Sequence, residues 1–310
     1  MKISWYLCFL LTLLMAVGSE TSPSDNEGKH SEKKTNASAG SAADPVLVGA
    51  GDIASCDDLS GARATAELIN KIPGMVFAAG DLAYPDGSDE QFANCYGPTW
   101  GRFKDRTRPA PGNHEYHKNG ASGYARYFGK AAGDASRGYY SYELGAWHIV
   151  VLNSECMNVG GCDAASPQAE WLKQDLAQHA ESCKLAYFHR PLFSSGRKHG
   201  NDPGVKPLWQ LMYAAGVVVV INGHDHDYER FAPQDPDGHL DPKRGIREFV
   251  VGTGGKNSHR IMGTIEANSE AHTDDTFGVL KVTLHPASYD WEFVPVAGKT
   301  FTDSGSGSCH

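Results

Sequence analysis

The sequence predicts an α/β fold in which helices cover the sheets. Short apolar runs typical of buried strands alternate with helical segments along most of the chain. Several of these runs end in a polar cluster that begins with glycine, such as Gly51-Asp52 and Gly80-Asp81. Hydrophobic residues make up 40% of the 310 residues, which is enough for a sizeable core and excludes wholesale disorder.

The predicted elements follow one another from residue 46 to the end of the chain. In order, they are strand Pro45–Asp52, helix Leu59–Ile72, strand Met75–Asp81, strand Trp147–Asn153, helix Glu170–Ala180, strand Leu185–His189, helix Pro207–Ala214, strand Val217–His224, and strands Glu248–Val251, Gly278–Leu284 and Tyr289–Val296. No long helix separates the last three strands, so we expect them to close the fold as antiparallel strands. Without an internal repeat or a second linker, residues 46–310 are interpreted as one domain.

The N-terminus predicts export from the cytoplasm. Lys2 precedes an apolar run over 5–17, which ends in the small-residue triplet Ala16-Val17-Gly18. This pattern is typical of a signal peptide over residues 1–18, and a membrane anchor would need about 20 apolar residues. Residues 19–45 are polar and without periodicity, so we expect a disordered linker there. The mature protein is therefore expected to be secreted or periplasmic, with no stable membrane span.

The cysteines agree with an oxidising compartment. Six remain after removal of the signal peptide: Cys56, Cys95, Cys156, Cys162, Cys183 and Cys309. An even number in an exported chain suggests three disulfides. Cys156 and Cys162 flank a Gly-Gly turn and are expected to pair locally, whereas Cys309 has Cys183 or Cys56 as its candidate partner.

Five apolar runs of the sequence end in a polar cluster. The clusters are Gly51-Asp52, Gly80-Asp81-Leu82-Ala83-Tyr84, Gly112-Asn113-His114-Glu115, Phe188-His189-Arg190-Pro191 and Gly223-His224-Asp225-His226. In open α/β sheets, ligands bind beyond the carboxyl ends of the strands. Each cluster alone has an ordinary explanation as a turn or as surface residues. Their joint occurrence in order predicts one site at one edge of the fold.

The residue types in these clusters indicate a pair of metal ions. Carboxylate, phenolate, amide and imidazole groups suit iron, manganese or zinc. Two ions about 3.5–4 Å apart need a bridging carboxylate and terminal ligands on both sides. His224 and His226 are two positions apart, and in a loop this spacing can direct the two rings to different metals. The net charge of −9 argues against a nucleic-acid partner, because such proteins normally present a basic face.

With these motifs, the chain resembles the calcineurin-like metallophosphoesterase superfamily, and within it the purple acid phosphatase branch. The resemblance covers residues 46–300 and is most specific at Gly223-His224-x-His226-x-Tyr228-Glu229-Arg230, with Gly252-Thr253-Gly254-Gly255 as further support. It implies a four-layer αββα sandwich, with mixed β-sheets flanked by helices.

The resemblance also implies a role for each site residue. Asp52, Tyr84 and His226 would hold the first metal, Asn113, His189 and His224 the second, and Asp81 would bridge them. Tyr84 replaces a histidine that many superfamily members carry where this chain has Ala54, which implies Fe³⁺ with a divalent Fe, Zn or Mn. His114 and His199 would contact the phosphate. The other nine histidines (14 − 5), among them His117, His148 and His285, are interpreted as surface or packing residues.

The function that follows is hydrolysis of small phosphate monoesters by attack of a metal-bound hydroxide. Two alternatives stay open. One is a phosphodiesterase acting on nucleotides or glycerophosphodiesters, because the same metal pair can attack diesters. The other belongs to a different class, a catalytically inactive relative that keeps the fold and binds metal.

Overall fold

The computed structural model describes residues 43–134, 136–258, 261 and 264–310. The predicted signal peptide and most of the predicted linker, residues 1–42, lie outside the described residues. The described part contains fifteen strands and six α-helices. The strands are β1 (Val46–Ala50), β2 (Ala54–Ser55), β3 (Met75–Ala79), β4 (Ala83–Tyr84), β5 (Thr107–Ala110), β6 (Tyr140–Leu144), β7 (Trp147–Val151), β8 (Cys183–Tyr187), β9 (Val217–Asn222), β10 (Tyr228–Phe231), β11 (Arg247–Val251), β12 (Ser269–Thr273), β13 (Gly278–Leu284), β14 (Ser288–Pro295) and β15 (Asp303–Ser308). The helices are α1 (Ser60–Lys71), α2 (Asp89–Gln91), α3 (Asn113–Tyr116), α4 (Ser122–Phe128), α5 (Pro167–Gln178) and α6 (Lys206–Ala214).

The strands form two large mixed sheets. The first has the order β15-β14-β13-β1-β3-β5, and the second has the order β12-β10-β11-β9-β8-β7-β6. Strands β1, β3 and β5 run parallel in the first sheet, as do β7, β8, β9 and β11 in the second. The strands at β6, β10 and β13–β15 add antiparallel pairs.

The two sheets pack face to face, and helices cover their outer faces. Aromatic pairs join the sheets, as with the Phe77 and Tyr187 rings at 5.7 Å. Outside the second sheet, Val150 and Ala186 pack with residues of α5 and α6, including Trp209. The buried face of α1, including Ala66, packs in the core that contains the first sheet. The predicted α/β class and the four-layer arrangement of helices and mixed sheets are confirmed.

Local sequence explains where the main elements begin and end. β9 is a run of six buried residues, Val-Val-Val-Val-Ile-Asn, and β-branched side chains favour strands. α5 begins after Ser166, whose side chain accepts a hydrogen bond from the backbone N–H of Ala169, and Pro167 occupies the first helical turn. At the end of α1, the Arg106 guanidinium donates to the backbone carbonyl of Ile69 at 2.8 Å.

One predicted pairing is confirmed only in part. The segment expected as the first of three closing antiparallel strands, β11, pairs antiparallel with β10 but parallel with β9. It inserts between these two strands because the connection after β10 reverses direction and returns along β9. The other two closing strands, β13 and β14, are antiparallel as predicted.

Three disulfides connect the six described cysteines. The local Cys156–Cys162 pair is confirmed, Cys309 bonds to Cys183, and Cys56 bonds to Cys95. The Cys183–Cys309 bond attaches the end of the C-terminal strand β15 to the start of β8. Within the described residues, no helix combines the length and the apolar character needed to cross a membrane.

Candidate metal centre

The carboxyl ends of parallel strands from both sheets meet at one edge of the fold. β1 leads to Asp52, β3 to Asp81, β8 to His189 and β9 to His224. Backbone hydrogen bonds join these strand ends, including Asp52 N–H to the Gly80 carbonyl at 3.0 Å. All seven side chains that the sequence predicts as metal ligands converge here: Asp52, Asp81, Tyr84, Asn113, His189, His224 and His226.

One half of the site is formed by Asp52, Tyr84 and His226. The Tyr84 hydroxyl lies 2.8 Å from Oδ1 of Asp52 and 3.2 Å from Nε2 of His226. That His226 nitrogen is 3.3 Å from the same Asp52 oxygen. All three side chains are buried, so a phenol, a carboxylate and an imidazole face one another away from bulk water.

The other half is formed by Asn113, His189 and His224. Nε2 of His189 lies 3.2 Å from Oδ1 of Asn113 and 3.1 Å from Nδ1 of His224. Asp81 belongs to both halves, because its Oδ2 lies 3.2 Å from the Tyr84 hydroxyl and 3.2 Å from Nε2 of His189. The side chains predicted as ligands thus lie in two neighbouring groups, with Asp81 in contact with both.

The backbone is strained where it presents these ligands. Asp52, Asp81 and His224 have φ angles of 59°, 53° and 76°, in the left-handed region that residues other than glycine seldom adopt. Such conformations cost about 1–3 kcal/mol each and cluster at functional sites. Hydrogen bonds within the site hold them, since Asp52 Oδ2 accepts from the His224 N–H at 2.8 Å.

Glycine is required beside the ligands because the chains approach closely. A Cβ atom at Gly80, where φ is +83°, would lie 2.5 Å from the His189 ring. A Cβ atom at Gly112 would lie 2.3 Å from the Asp81 carboxylate. Both distances are too short for any larger residue, so these two glycines allow the strand ends to meet.

Two imidazoles are oriented by the ring nitrogen that faces away from the site. Nδ1 of His189 lies 3.0 Å from the backbone carbonyl of Ala79, and Nδ1 of His226 lies 2.6 Å from the carbonyl of Asn257. Since each carbonyl can only accept, both Nδ1 atoms carry the proton. This leaves Nε2 of each ring directed into the site, an arrangement typical of metal-binding histidines.

Burial and charge perturb the acid–base behaviour of the group. Burial raises the pKa of Asp81, but His189 and His114 outweigh it and lower that pKa overall. Burial lowers the pKa of His189, but Asp81 outweighs it and raises the value to about 10. Burial and the neighbouring His189 lower the pKa of His224. These shifts favour the charged form of His189 beside Asp81 and the neutral form of His224.

Both histidines predicted to contact phosphate lie beside this group. Nε2 of His114 is 3.8 Å from Oδ2 of Asp81, and its ring centroid is 4.3 Å from that of Tyr84. The ring of His199 stacks on that of His224, with centroids 3.9 Å apart. His114 is half-buried and His199 is exposed, so they lie on the open side of the metal ligands.

Three further residues at the site received no role from the sequence. Glu115 is buried and accepts hydrogen bonds from the backbone N–H groups of Asp81, Leu82 and Gly112 at 2.8–2.9 Å. Nη1 of Arg190 lies 3.2 Å from Nε2 of His224, and the same guanidinium is paired with Glu155. The Lys256 ammonium lies 4.9 Å from the centre of the Tyr84 ring.

In the sequence, each of these three residues lies inside or directly next to a motif. Glu115 and Arg190 stand inside the quoted strand-end clusters, and Lys256 follows the Gly-Thr-Gly-Gly segment. Charged side chains so close to predicted ligands are candidates for second-layer contacts.

The donor set fits a pair of hard or borderline cations. It consists of carboxylate, phenol, amide and imidazole groups, and no thiolate takes part, because the six described cysteines are all in disulfides. Asp81, His189 and His224 each offer one ligand atom within 4.8 Å of the others. The residues present thus fit the metal centre that the sequence predicts.

Comparison with known proteins places this geometry in a family. Residues 47–228 match the family model described as calcineurin-like phosphoesterase. The chain is 29% identical over 224 residues to purple acid phosphatase 15 of Arabidopsis thaliana, which is 61% of this chain and 41% of that protein. The chain spans less than half the length of the curated relatives it matches.

Solved structures show the same fold at lower sequence identity. Purple acid phosphatase PPD1 from yellow lupin (Lupinus luteus) seeds superposes with a TM-score of 0.65 at 21% identity, over 85% of this chain and 53% of that one. GAP50, described as the anchor in the inner membrane complex of Plasmodium, superposes with a TM-score of 0.67 at 16% identity, over 87% and 90% of the two chains.

Proposed function

The chain belongs to the calcineurin-like phosphoesterase family, and from that premise we propose that it is an exported, metal-dependent phosphatase acting on phosphate monoesters. The observation that carries the proposal is the position of Asp81, whose Oδ2 is 3.2 Å from both the Tyr84 hydroxyl and Nε2 of His189. A carboxylate between two ligand groups is what a binuclear centre requires. The likeness to purple acid phosphatases supports the monoester preference.

Seven residues would hold the two ions. Asp52, Tyr84 and His226 would bind the first, Asn113, His189 and His224 the second, and Asp81 both. When bound, the ions would neutralise charge on the phosphoryl group and lower the pKa of water to supply a nucleophile. Tyr84 favours Fe³⁺ in the first position, with a divalent Fe, Zn or Mn in the second.

His114 and His199 would act on the substrate. Nδ1 of His114 lies 2.6 Å from the backbone carbonyl of Pro85, which can only accept, so this nitrogen carries a proton and the ring orientation is fixed. Its Nε2 lies on the Asp81 side of the site, at 3.8 Å from that carboxylate. From there, in the imidazolium form with both nitrogens protonated, it would donate the Nε2 proton to a phosphate oxygen or to the leaving alkoxide and become neutral. His199, stacked on His224, would contact the phosphate from the opposite half.

The decisive experiment replaces the bridging carboxylate. Asp81→Asn keeps the shape of the side chain, and we expect it to lose at least one metal ion and most of its turnover, because both halves lose a ligand. Asp86→Asn is the matched control, since Asp86 lies just beyond β4, five positions after Asp81, and pairs with Lys118 at 2.6 Å. An Asp81→Asn protein that bound two ions and kept wild-type turnover would rule the proposal out.

A second assay tests the substrate class. Turnover of p-nitrophenyl phosphate is expected to exceed that of bis(p-nitrophenyl) phosphate on the same preparation. The reverse order would favour the phosphodiesterase alternative, with nucleotides or glycerophosphodiesters as candidate substrates.

A non-catalytic role is the second candidate function. It is favoured by the fold likeness to GAP50, which the chain matches over 90% of that protein and which is described as an anchor. The complete set of seven ligand residues favours catalysis instead. Metal-loaded protein that is silent on both nitrophenyl esters would support the non-catalytic alternative.

A further inference from the structure

A second group of imidazoles and carboxylates lies away from the site described above. Glu143 on β6 is directly opposite His148 on β7 in the antiparallel pair, and His179 follows the last residue of α5. We propose that Glu143, His148 and His179 form a separate binding site for one divalent transition metal ion of the zinc class.

The ligand atoms lie close together. The rings of His148 and His179 are stacked with centroids 3.7 Å apart, so the more exposed His179 would turn its ring for both imidazoles to bind one ion. Oε1 of Glu143 lies 2.6 Å from Nδ1 of His148 and 3.5 Å from Nε2 of His179. One ligand atom from each of the three residues falls within 4.8 Å of the others. Two imidazole nitrogens and a carboxylate oxygen are a common ligand set for zinc, with water completing the four positions.

The outer hydrogen bonds of both rings support this assignment. Nε2 of His148 lies 2.6 Å from Oδ2 of Asp175, and Nδ1 of His179 lies 2.8 Å from the backbone carbonyl of the same residue. The other oxygen of Asp175 accepts a hydrogen bond from Ser141 at 2.7 Å. Each imidazole thus has one nitrogen fixed by an oxygen of Asp175 and the other directed at Glu143. Carboxylates and carbonyls hold metal-binding histidines in this way.

Access to the group is open on one side only. The His148 side chain is 1% exposed and that of Asp175 is 11%, whereas Glu143 is 52% exposed and His179 is 31%. An ion would therefore enter past Glu143 and His179 and bind against a preformed, buried His148. The exposed side leaves room for water as the remaining ligand.

The site is distinct from the one at the strand ends. His148 is level with Lys184 in the adjacent strand, five residues before His189 (189 − 184). At ~3.3 Å per residue, this separation is about 16 Å along the strand. β6 is the edge strand of its sheet, so a bound ion would fasten that edge to the end of α5.

The test counts metal ions in the full chain with its disulfides intact. Metal-stripped protein is titrated with Zn²⁺ against a chromophoric chelator. We expect three bound ions in the wild type and two in His179→Ala, and an affinity at least tenfold lower for the third ion in Glu143→Gln. His272→Ala is the matched control, since His272 is an exposed histidine on β12, and it should bind three. Circular dichroism shows whether each variant is folded. His179 is chosen for replacement because it is partly exposed beyond the end of α5, so its loss should disturb the fold little.

A second background separates this inference from the proposed function, on which it does not depend. The double variant Asp81→Asn/His224→Ala disables the strand-end site. It should still bind one metal ion, and adding His179→Ala to this background should remove that ion. A folded background protein that binds no ion, or an ion count that His179→Ala leaves unchanged, would overturn the assignment. If the wild type binds a single ion and His179→Ala removes it, the assignment of this site stands and the binuclear centre is refuted instead.

Discussion

Oε2 of Glu115 accepts a hydrogen bond from the backbone N–H of Asp81 at 2.9 Å. The same oxygen accepts from the N–H of Gly112 at 2.8 Å, so one buried carboxylate holds together the loops after β3 and β5. Both burial and the neighbouring Asp81 raise the pKa of Glu115, to about 8, while the backbone donors lower it. Glu115 therefore helps to fix the positions of Asp81 and Asn113 relative to each other, together with the hydrogen bond from the His114 N–H to Asp81 Oδ1 at 2.8 Å.

We expect Glu115→Gln to weaken both stability and metal binding. The amide retains one acceptor oxygen but turns an NH₂ group towards backbone donors, which should cost about 2–4 kcal/mol of unfolding free energy. Misplaced outer contacts of this kind lower metal affinity by about 10–100-fold. Urea unfolding and metal titration measure the two effects. Glu90→Gln, at an exposed position, is the control and should change neither the unfolding free energy nor the metal affinity. A Glu115→Gln protein with the unfolding free energy of the wild type would show that the Glu115 hydrogen bonds do not stabilise the fold.

The strand ends explain why so much of this site was predictable. Asp52, Asp81, His189 and His224 each stand just after an apolar run, and parallel strands bring such positions to one edge. The order of residues along the chain then suffices to predict that they meet. Glu115 received no role because its importance depends on backbone donors from a loop more than thirty positions away (115 − 81 = 34).

Four of the five strands of the two large sheets that escaped prediction lie at the sheet edges, and the interior strand β10 is the fifth. β5, β6, β12 and β15 are the four outermost strands of the two large sheets. β15 reads Asp-Ser-Gly-Ser-Gly-Ser and is mostly exposed, so it lacks both an apolar run and an alternating pattern. Such strands are held by backbone pairing with a neighbour and, here, by the Cys183–Cys309 bond, neither of which leaves a local hydrophobic signal.

Tyr84→Phe is expected to remove one metal ion while the protein stays folded. The ring is buried and Phe fills the same space, but the hydroxyl that faces Asp52, Asp81 and His226 is lost. A tyrosinate-to-iron absorption band in the purified wild type should disappear, and the metal-to-protein ratio should fall from two towards one.

Tyr213→Phe is the control, because that hydroxyl lies on the surface and donates to Asp241 at 2.6 Å. Absorbance between the ultraviolet and the red, together with elemental analysis, checks both variants. Retention of the band and of two ions in Tyr84→Phe would show that Tyr84 is no ligand.

The two disulfides with the most different loop lengths should contribute unequally to stability. Cys183 and Cys309 are 126 positions apart, whereas Cys156 and Cys162 are 6 apart. The loss of chain entropy in the unfolded state predicts contributions of about 5 and about 2 kcal/mol respectively. Serine replacement of each pair, followed by urea unfolding, measures the difference. An equal or reversed ranking would mean that the C-terminal strand is held mainly by its pairing with β14.

Asp303 is expected to support stability in a pH-dependent way. Its carboxylate accepts hydrogen bonds from Nε of Arg230 at 2.6 Å, the Tyr228 hydroxyl at 2.7 Å and Nε1 of Trp291 at 3.1 Å, which joins β15 and β14 of one sheet to β10 of the other. Burial raises the pKa of Asp303, but the hydrogen bonds from Arg230 and Tyr228 outweigh it and lower that pKa below its usual 3.8.

A carboxyl group with a lowered pKa in the folded state stabilises the fold fully above its unfolded-state pKa, and this contribution disappears as the pH falls through the folded-state value. Asp303→Asn should therefore cost about 2–3 kcal/mol of unfolding free energy at neutral pH, since it leaves Arg230 without a charged partner there. The difference in unfolding free energy between variant and wild type should decrease steadily once the pH drops below 3.8. Urea unfolding at neutral and acid pH measures it, with the exposed Asp275→Asn as a control that should match wild type throughout. A gap that stays constant down to the lowest pH at which the protein folds would mean that the Asp303 charge contributes nothing and that only the shape of the side chain matters.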